Sequence, residues 1–283
     1  MHIYAKVIED SISSERCGRL TTIEIQLPKV LLAELNTHRV FSRNFSSSRA
    51  IPTAKLINSE SFYPLYWGKN KAGMQSAEER LTTAEEVEAK QIWEDTIKYC
   101  KGSSEKLQKL GLHKQWTNRL NDWHIMAKGI VTSTDWSNFF ALRDHPDAQP
   151  EIRQLARDMR LALINAHTEV LSFGEWHLPY VTKQEREEIS DLNILKKISA
   201  ARCCRVSYLK HDNSSSTIEE DIALCDKLAG SKPIHASPME HQATPDYMTI
   251  GGYKNHHLHG NFVGWIQNRK MMEQEALSNG RTI

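Results

Sequence analysis

A dense set of hydrogen-bond donors lies between Asn36 and Arg49, where the chain reads Asn-Thr-His-Arg-Val-Phe-Ser-Arg-Asn-Phe-Ser-Ser-Ser-Arg. From Leu35 to Ser59 it carries Arg39, Arg43, Arg49 and Lys55 and no Asp or Glu. Guanidinium groups, serine hydroxyls and backbone N–H groups in one segment offer charge-assisted bonds to a phosphate, which a planar guanidinium can grip through two bonds at once. A solvated basic face is the competing reading of such a cluster. The hydroxyls of Ser46, Ser47 and Ser48 beside Arg49 weigh towards the phosphate.

Two further groups carry chemistry-bearing residues. In Asp135–Asp144, Trp136, Phe139, Phe140 and Arg143 fall at i, i+3, i+4 and i+7, so one arginine shares an aromatic helical seam. It either snorkels at the edge of that seam or faces a buried anion or carbonyl. Arg119, in Gln-Trp-Thr-Asn-Arg, is similarly placed and also has a structural reading. Around Pro238, the run Pro233-Ile-His-Ala-Ser-Pro-Met-Glu-His241 compresses His235, Ser237, Glu240 and His241. Its spacing matches no zinc helix motif, and no cysteine is close in sequence, so no metal is assigned and hydrogen bonding to a cofactor is the alternative. Asn255-His-His-Leu-His259 reads as a surface histidine-rich turn, and Gly260 to Arg269 as packing, with a strand that extends the sheet and adds a site arginine as the alternative.

The elements that must position these residues follow from periodicity. Ile3, Ala5 and Val7 alternate, as does Leu20 to Leu27, which predicts two strands. Pro28 opens a predicted helix from Lys29 to about Asn44, with proline in the first turn where its missing N–H costs nothing. An aperiodic Tyr/Trp/Gly stretch between Ser61 and Thr83 precedes a solvated helix over 84–110, broken near Gly102. Further helices are predicted over Lys114–Lys128, Thr134–Asp144 and Gln149 to about Leu171, with a short strand or link over 129–133. After a charged stretch at 182–191, helices restart over Leu192–Arg205 and, opened by Ser216 and Thr217 before acids, Ser216–Leu228.

Composition sets outer bounds. The chain has 283 residues, 40% hydrophobic and 25% charged, enough for one large or two medium cores without disulfide staples. Thirty-six basic against 35 acidic side chains give a formal charge of +1, so any phosphate site is local, and neither nucleic acid nor an anionic membrane is an expected partner. Five scattered cysteines, no signal-like N-terminus and no run near ~18 apolar residues point to a cytoplasmic protein. GxGxxG, GxxxxGK[ST] and GxSxG are all absent, which excludes the common nucleotide and esterase motifs. Cys203 and Cys204, in a predicted helix, read as small buried hydrophobes rather than nucleophiles.

Taken together, the segments resemble the flavin-dependent thymidylate synthases, whose signature is Arg-His-Arg, seven residues, then Ser. Here Thr37-His38-Arg39 is followed by seven residues and Ser47, with Ser42, Asn44 and Arg49 at further motif positions. Asn138 to Gln149 resembles that family's Asn…Leu-Arg…Ala-Gln block. Ala200-Ala-Arg-Cys-Cys-Arg-Val-Ser-Tyr208 and His235-Ala-Ser-Pro-Met-Glu240 resemble its Ala-Arg-Val-Ser-Phe and His-x-Thr/Ser-Pro-Phe-Glu-His blocks. Those last blocks stand at the family's N-terminus, so the chain looks like a circularly permuted member. Permutation is tolerated where termini lie close together at the surface.

The resemblance implies an α+β fold, a twisted, mostly antiparallel sheet with helices packed on it. It divides the chain into a signature and pyrimidine-binding half over 1–175, a linker over 176–191, and a half over 192–283 that carries the flavin blocks and a C-terminal extension, together one compact domain. It implies that His38, Arg39, Asn138, Ser207, His235, Ser237 and Glu240 hold FAD, that Ser47, Ser48, Arg49, Arg119 and Glu34 sit at the deoxynucleotide, and that Arg143 faces the pyrimidine, with Arg143 and Ser47 at the chemistry. The implied reaction is reductive methylation of dUMP at C5 with methylenetetrahydrofolate and NADPH, in a homotetramer. Rival readings are hydroxymethylation of dUMP or dCMP on the same scaffold, and a non-catalytic nucleotide-binding module. Thr37, Phe45, Glu34 and Asp147 stand where the family has Arg, Glu, Gln and His. The first two changes together are nearly charge-neutral, whereas a glutamate at 34 repels a phosphate unless it points elsewhere or bonds a base N–H.

Overall fold

The alternating segments at the start of the chain form an antiparallel pair, β1 (Tyr4–Ser13) and β2 (Arg19–Pro28), in a computed structural model that describes residues 2–15, 18–206, 216–232 and 234–280. Three more strands complete the sheet: β3 (Ser42–Phe45), β4 (Met126–Ser133) and β5 (Glu169–Leu171), in the order β3-β4-β2-β1-β5. Only β5 runs parallel to its neighbour, so the sheet is mostly antiparallel and the fold is α+β. Register assigns the two faces. Ile23, Ile25 and Leu27 pair with Val131, Gly129 and Ala127 on one face, while Thr22 and Glu24 pair with Thr132 and Ile130 on the other.

Helices cover both faces. On the first, α5 (Ser137–Arg143) and α6 (Pro150–Ile164) pack Phe139, Ile152, Leu155, Ala156 and Met159 onto Ile23, Ile25, Leu27 and Val131. The i, i+3, i+4 spacing makes α6 one-sided, and each large aliphatic it buries contributes roughly 1.5–3 kcal/mol. On the second face, α8 (Leu192–Arg205) brings Cys203 against Ile130, and α9 (Ile218–Ala229) packs on α8 through Ala200, Ala201 and Cys225. Thr217 caps α9 with Glu220 in a reciprocal capping box. The charged stretch carries α7 (Lys183–Glu188), whose Arg186 bonds Glu9 on β1 and whose Glu185 bonds Arg202 on α8.

Several predicted helices end earlier in the structure. After a 3-10 turn at Lys29–Leu31, α1 runs only Leu32–Asn36, because polar groups behind it take its terminal carbonyls: Thr37 Oγ donates to Glu34 O at 2.7 Å and Arg43 Nη1 to Asn36 O at 2.9 Å. Residues 42–45 are the strand β3, not the end of a helix. The long helix α3 (Thr83–Lys109) passes through Gly102 unbroken, since ~1 kcal/mol of glycine penalty is small beside 27 residues anchored by buried Ile97 and Ser104. The predicted Lys114–Lys128 helix is the short α4 (Lys114–Thr117), a 3-10 turn at Asn118–Asn121 and the start of β4, which extends well before residue 129. The last of these helices, α6, stops at Ile164, and 169–171 is strand. Between β3 and α3 lies α2 (Thr53–Ile57).

The C-terminal segment adds β6 (Ala243–Pro245), the hairpin β7 (Met248–Thr249) and β8 (Gly252–Tyr253), β9 (Trp265–Gln267) and α10 (Asn268–Ser278). Strands β6 and β9 pair antiparallel, with Trp265 fully buried. Among the described residues, no helix is long and apolar enough to cross a membrane, and no cluster of His, Cys, Asp and Glu is arranged to hold a metal ion.

Candidate active site

The signature residues gather where α1 ends, because the turn over 37–41 is pinned from two sides. Arg143, the last residue of α5, donates from Nε to His38 Nε2 at 3.1 Å and from Nη2 to Thr37 Oγ1 at 3.3 Å and Glu34 O at 3.4 Å. Arg43 donates from Nη1 to the carbonyls of Asn36 and His38. His38 is buried edge-on to Phe139 and against Phe41, so the aromatic seam of α5 forms the wall of this turn. Burial, then the charges of Arg143 and Arg43, hold the His38 pKa below its ordinary value, which keeps the ring neutral and Nε2 an acceptor. Arg143 is half-buried at the edge of the seam, and its partners are an imidazole nitrogen, a hydroxyl and, at the longest distance, the Glu34 carbonyl.

Strand β3 carries the chain from this turn to the serine loop. Ser46 exchanges bonds with the backbone of Lys128 on β4, through N at 2.8 Å and Oγ at 3.2 Å. Asn118 Nδ2 holds the carbonyls of Ser48 and Ile51 at 2.8 and 2.9 Å, which fixes the loop from below. Ser47 is half-buried; Ser48 is buried, and its hydroxyl has no partner. Arg39 and Arg49 are exposed and make no ion pair among the described residues. Arg119 lies next to the Asn118 anchor and bonds Asp122 at 3.3 Å, half-exposed. Glu34 is half-buried, and its Oε2 is enclosed with no hydrogen-bond partner. Such an enclosed oxygen, like the Ser48 hydroxyl, marks a place for a ligand or water donor.

The second half of the chain meets this site at two points. Asn44 Nδ2 donates to Cys203 O at 2.7 Å, which ties β3 to the end of α8; Ser207, just beyond, lies outside the described residues. Glu240 ends the 3-10 turn Ser237–Glu240, pairs with Arg269 and places its charge near Arg43. His235 and Ser237 are exposed at the start of that turn, and Asn138 is exposed on α5. His241, the next residue, is buried with Nδ1 on Thr132 Oγ1 at 2.8 Å and burial pushing its pKa down to about 3. The thiol of Cys203 is fully buried and pushed far up by burial, which suits the inert reading of that cysteine.

Sequence reasoning missed Asn261 and Gln267, and it weighed Arg269 as a site arginine but favoured packing. Gln267 donates to Ser42 Oγ and to Glu240 O at 3.3 and 3.1 Å, and Asn261 accepts from Ser42 Oγ at 3.1 Å. The Gly260 to Arg269 segment therefore packs, as expected, and also reaches the signature strand. A cleft of ≈ 950 Å³ lies elsewhere, lined by residues such as Tyr4, Phe62, Trp67, Arg80 and Asp158, and none of the candidate site residues borders it.

Comparison with known proteins bears on this arrangement. The sequence profile of the family described as "Thymidylate synthase complementing protein" matches residues 19–167, which hold β2 to β4, the serine loop, α5 and α6. The chain belongs to this family. Its members are the flavin-dependent thymidylate synthases, as the signature resemblance implied. The matched span contains every candidate residue from Glu34 to Arg143, while Ser207, His235, Ser237 and Glu240 lie outside it. No curated protein matches the chain. Among solved structures, the UMP/dUMP methylase PolB from Streptomyces cacaoi bound with 5-Br dUMP is similar at a TM-score of 0.49 and 14% identity, covering 57% of this chain and 90% of that one. The same methylase bound with 5-Br UMP gives 0.45 and 15%, covering 57% and 88%.

Proposed function

We propose that this family member catalyses reductive methylation of dUMP at C5. The observation that carries the reading is the serine loop, where the buried, unpartnered hydroxyl of Ser48 lies beside the exposed, unpaired guanidinium of Arg49. A polar group enclosed without a partner costs free energy that a bound anion recovers, and phosphate supplies the acceptors. Ser47, Ser48, Arg49 and Arg119 bind the nucleotide phosphate and sugar. Arg143 donates to a ring carbonyl and stabilises the enolate-like charge that develops as C5 attacks carbon. Its Nε and Nη2 are held by His38, Thr37 and Glu34, which leaves Nη1 without a partner among the described residues and fixes the direction in which it points.

Exposed Arg39, which makes no ion pair among the described residues, suits the pyrophosphate of FAD, and exposed Asn138, His235 and Ser237 with His38 and Glu240 offer it polar edges; Ser207, which the family resemblance adds, lies outside the described residues. When bound, FAD with NADPH as reductant supplies the hydride and methylenetetrahydrofolate the carbon. In this reading the chain is a permuted, cytoplasmic member in which residues 192–243 take the place of the family's N-terminal blocks, and it works as a homotetramer. The enclosed Oε2 of Glu34 suits a base with an N–H donor, which uracil offers at N3 and cytosine at N4, so an enzyme that acts on dCMP, or that hydroxymethylates, is the second reading. Incubating the protein with FAD, NADPH, methylenetetrahydrofolate and ring-labelled dUMP or dCMP and weighing the products separates the two. Methylated uracil nucleotide is the expected product; no change in either nucleotide's mass sinks the enzymatic reading.

A further inference from the structure

The signature strand and the turn that ends in Glu240 are far apart along this chain, so their relative position depends on non-covalent contacts, and a polar cluster of the C-terminal segment, built around buried Gln267, supplies them. Asn261 accepts from Ser42 Oγ at 3.1 Å through Oδ1 and donates to Val40 O at 2.8 Å through Nδ2. Gln267 is 1% exposed, and its Nε2 reaches Asn261 Oδ1 at 3.0 Å, Glu240 O at 3.1 Å and Ser42 Oγ at 3.3 Å, across 225 residues of chain in the last case. Arg269, two residues on, joins the Glu240 carboxylate through Nη1 and Glu273 through Nε. Gly260 makes room for the cluster. Its φ is +62°, and a Cβ there would lie 2.6 Å from Gln267 Oε1, so glycine meets both the conformational and the steric demand.

A buried carboxamide with several partners is costly to displace, because any shift leaves donors or acceptors unpaired, and such networks fix one arrangement among alternatives. We propose that Asn261, Gln267 and Arg269 are positioning residues: they hold Ser42 and Glu240 at a set separation, and through them align the phosphate loop after β3 with the carboxylate that faces the cofactor. The identity of the two ligands rests on the function proposed above. The alignment itself does not.

The test uses the full chain and four variants, Gln267→Leu, Gln267→Glu, Arg269→Gln and Arg269→Lys, with amide hydrogen exchange, FAD affinity and dUMP affinity measured on each. Gln267→Leu is expected to speed exchange about tenfold at the amides of Ser42–Phe45, with the β1–β2 amides unchanged. Arg269→Gln is expected to weaken FAD about tenfold with dUMP within twofold, and Arg269→Lys to restore FAD to within threefold. Gln267→Glu sets a carboxylate against the Asn261 and Glu240 carbonyl oxygens and should behave as Gln267→Leu does, although it keeps the side-chain volume. A merely structural role would lower the melting temperature of every variant and leave the affinity pattern flat. If the wild-type protein binds no FAD, the flavin reading fails and exchange at Ser42–Phe45 decides alone: unchanged exchange in both Gln267 variants overturns the proposal.

Discussion

Arg143 and His38, 105 residues apart in the chain, meet through a single hydrogen bond of 3.1 Å from the arginine Nε to the histidine Nε2. The bond is possible only while His38 is neutral, and burial with two neighbouring guanidinium groups keeps it so. It ends α5 on the turn that follows α1, so the family signature and the block that ends in Arg143 become one object. An arginine clamped at Nε and Nη2 has lost most of its rotamer freedom before any ligand arrives, and the orientation of Nη1 costs nothing further on binding.

Replacing Arg143 with alanine removes the donor proposed to act on the developing charge. Turnover should fall at least ~100-fold, the usual scale for loss of one preorganised electrostatic donor, with flavin retained. Steady-state rates beside a flavin absorbance measurement check this. Near-normal turnover would remove Arg143 from the chemistry.

The Ser48 hydroxyl has no hydrogen-bond partner among the described residues, so Ser48→Ala should leave the melting temperature within about 2 °C of wild type, as a change of well under 1 kcal/mol implies. Affinity for dUMP should drop about tenfold, the equivalent of one ordinary hydrogen bond of ~1.4 kcal/mol. Calorimetric titration with dUMP and a thermal melt read the two quantities. A lower melting temperature with unchanged affinity would mean that the hydroxyl serves the fold instead.

Some of this was legible from residue order and some was not. The alternation of Leu20 to Leu27 gave β2, and the apolar spacing of Leu192 to Arg205 gave α8 to the residue, because each pattern reports burial on a known period. The end of α1 was not visible. Leu31 and Leu35 keep a helical spacing, but the carbonyls that would continue the helix are taken by Arg43 and Arg143, one of them from more than a hundred residues away. Tertiary hydrogen bonds of that kind leave no local trace. The same holds for Gln267 and Asn261, whose role is defined by Ser42 on a distant strand. The donor-rich character of Asn36 to Arg49 and the polar partner of Arg143 were legible because they are properties of composition and helical face.

Gly129 on β4 sits beneath the ring of Phe45, and a Cβ at that position would lie 2.1 Å from the ring's Cδ1. Gly129→Ala must push Phe45 and β3 outward, at a cost of about 1–3 kcal/mol. Urea unfolding should show that loss together with weaker dUMP binding, since β3 leads into the serine loop. Adding Phe45→Ala should recover part of both. If the single variant is as stable as wild type, β3 does not pack on β4 in this register.

Three histidines with no exposed surface make stability depend on pH. Burial lowers His124 to about 4 and His241 to about 3, and His177 well below its ordinary value. The unfolded chain takes up their protons near pH 6.5 while the folded chain refuses them, so the stability present above about 6.5 is lost as the pH falls towards 4. Each contributes a slope of roughly 1.4 kcal/mol per pH unit in that window. Urea denaturation at pH 7.5, 6.0 and 5.0 on wild type and His124→Asn should show the variant's slope reduced by one proton. Equal slopes would place His124 outside the buried, neutral set.

The most direct test of the central claim is a visible absorption spectrum of the purified protein, recorded with added FAD and again after dUMP enters the same cuvette. A retained flavin band that shifts on addition of dUMP is the predicted result, since cofactor and nucleotide would then share one site. A protein that keeps no flavin after gel filtration, or a flavin band indifferent to saturating dUMP, would contradict it.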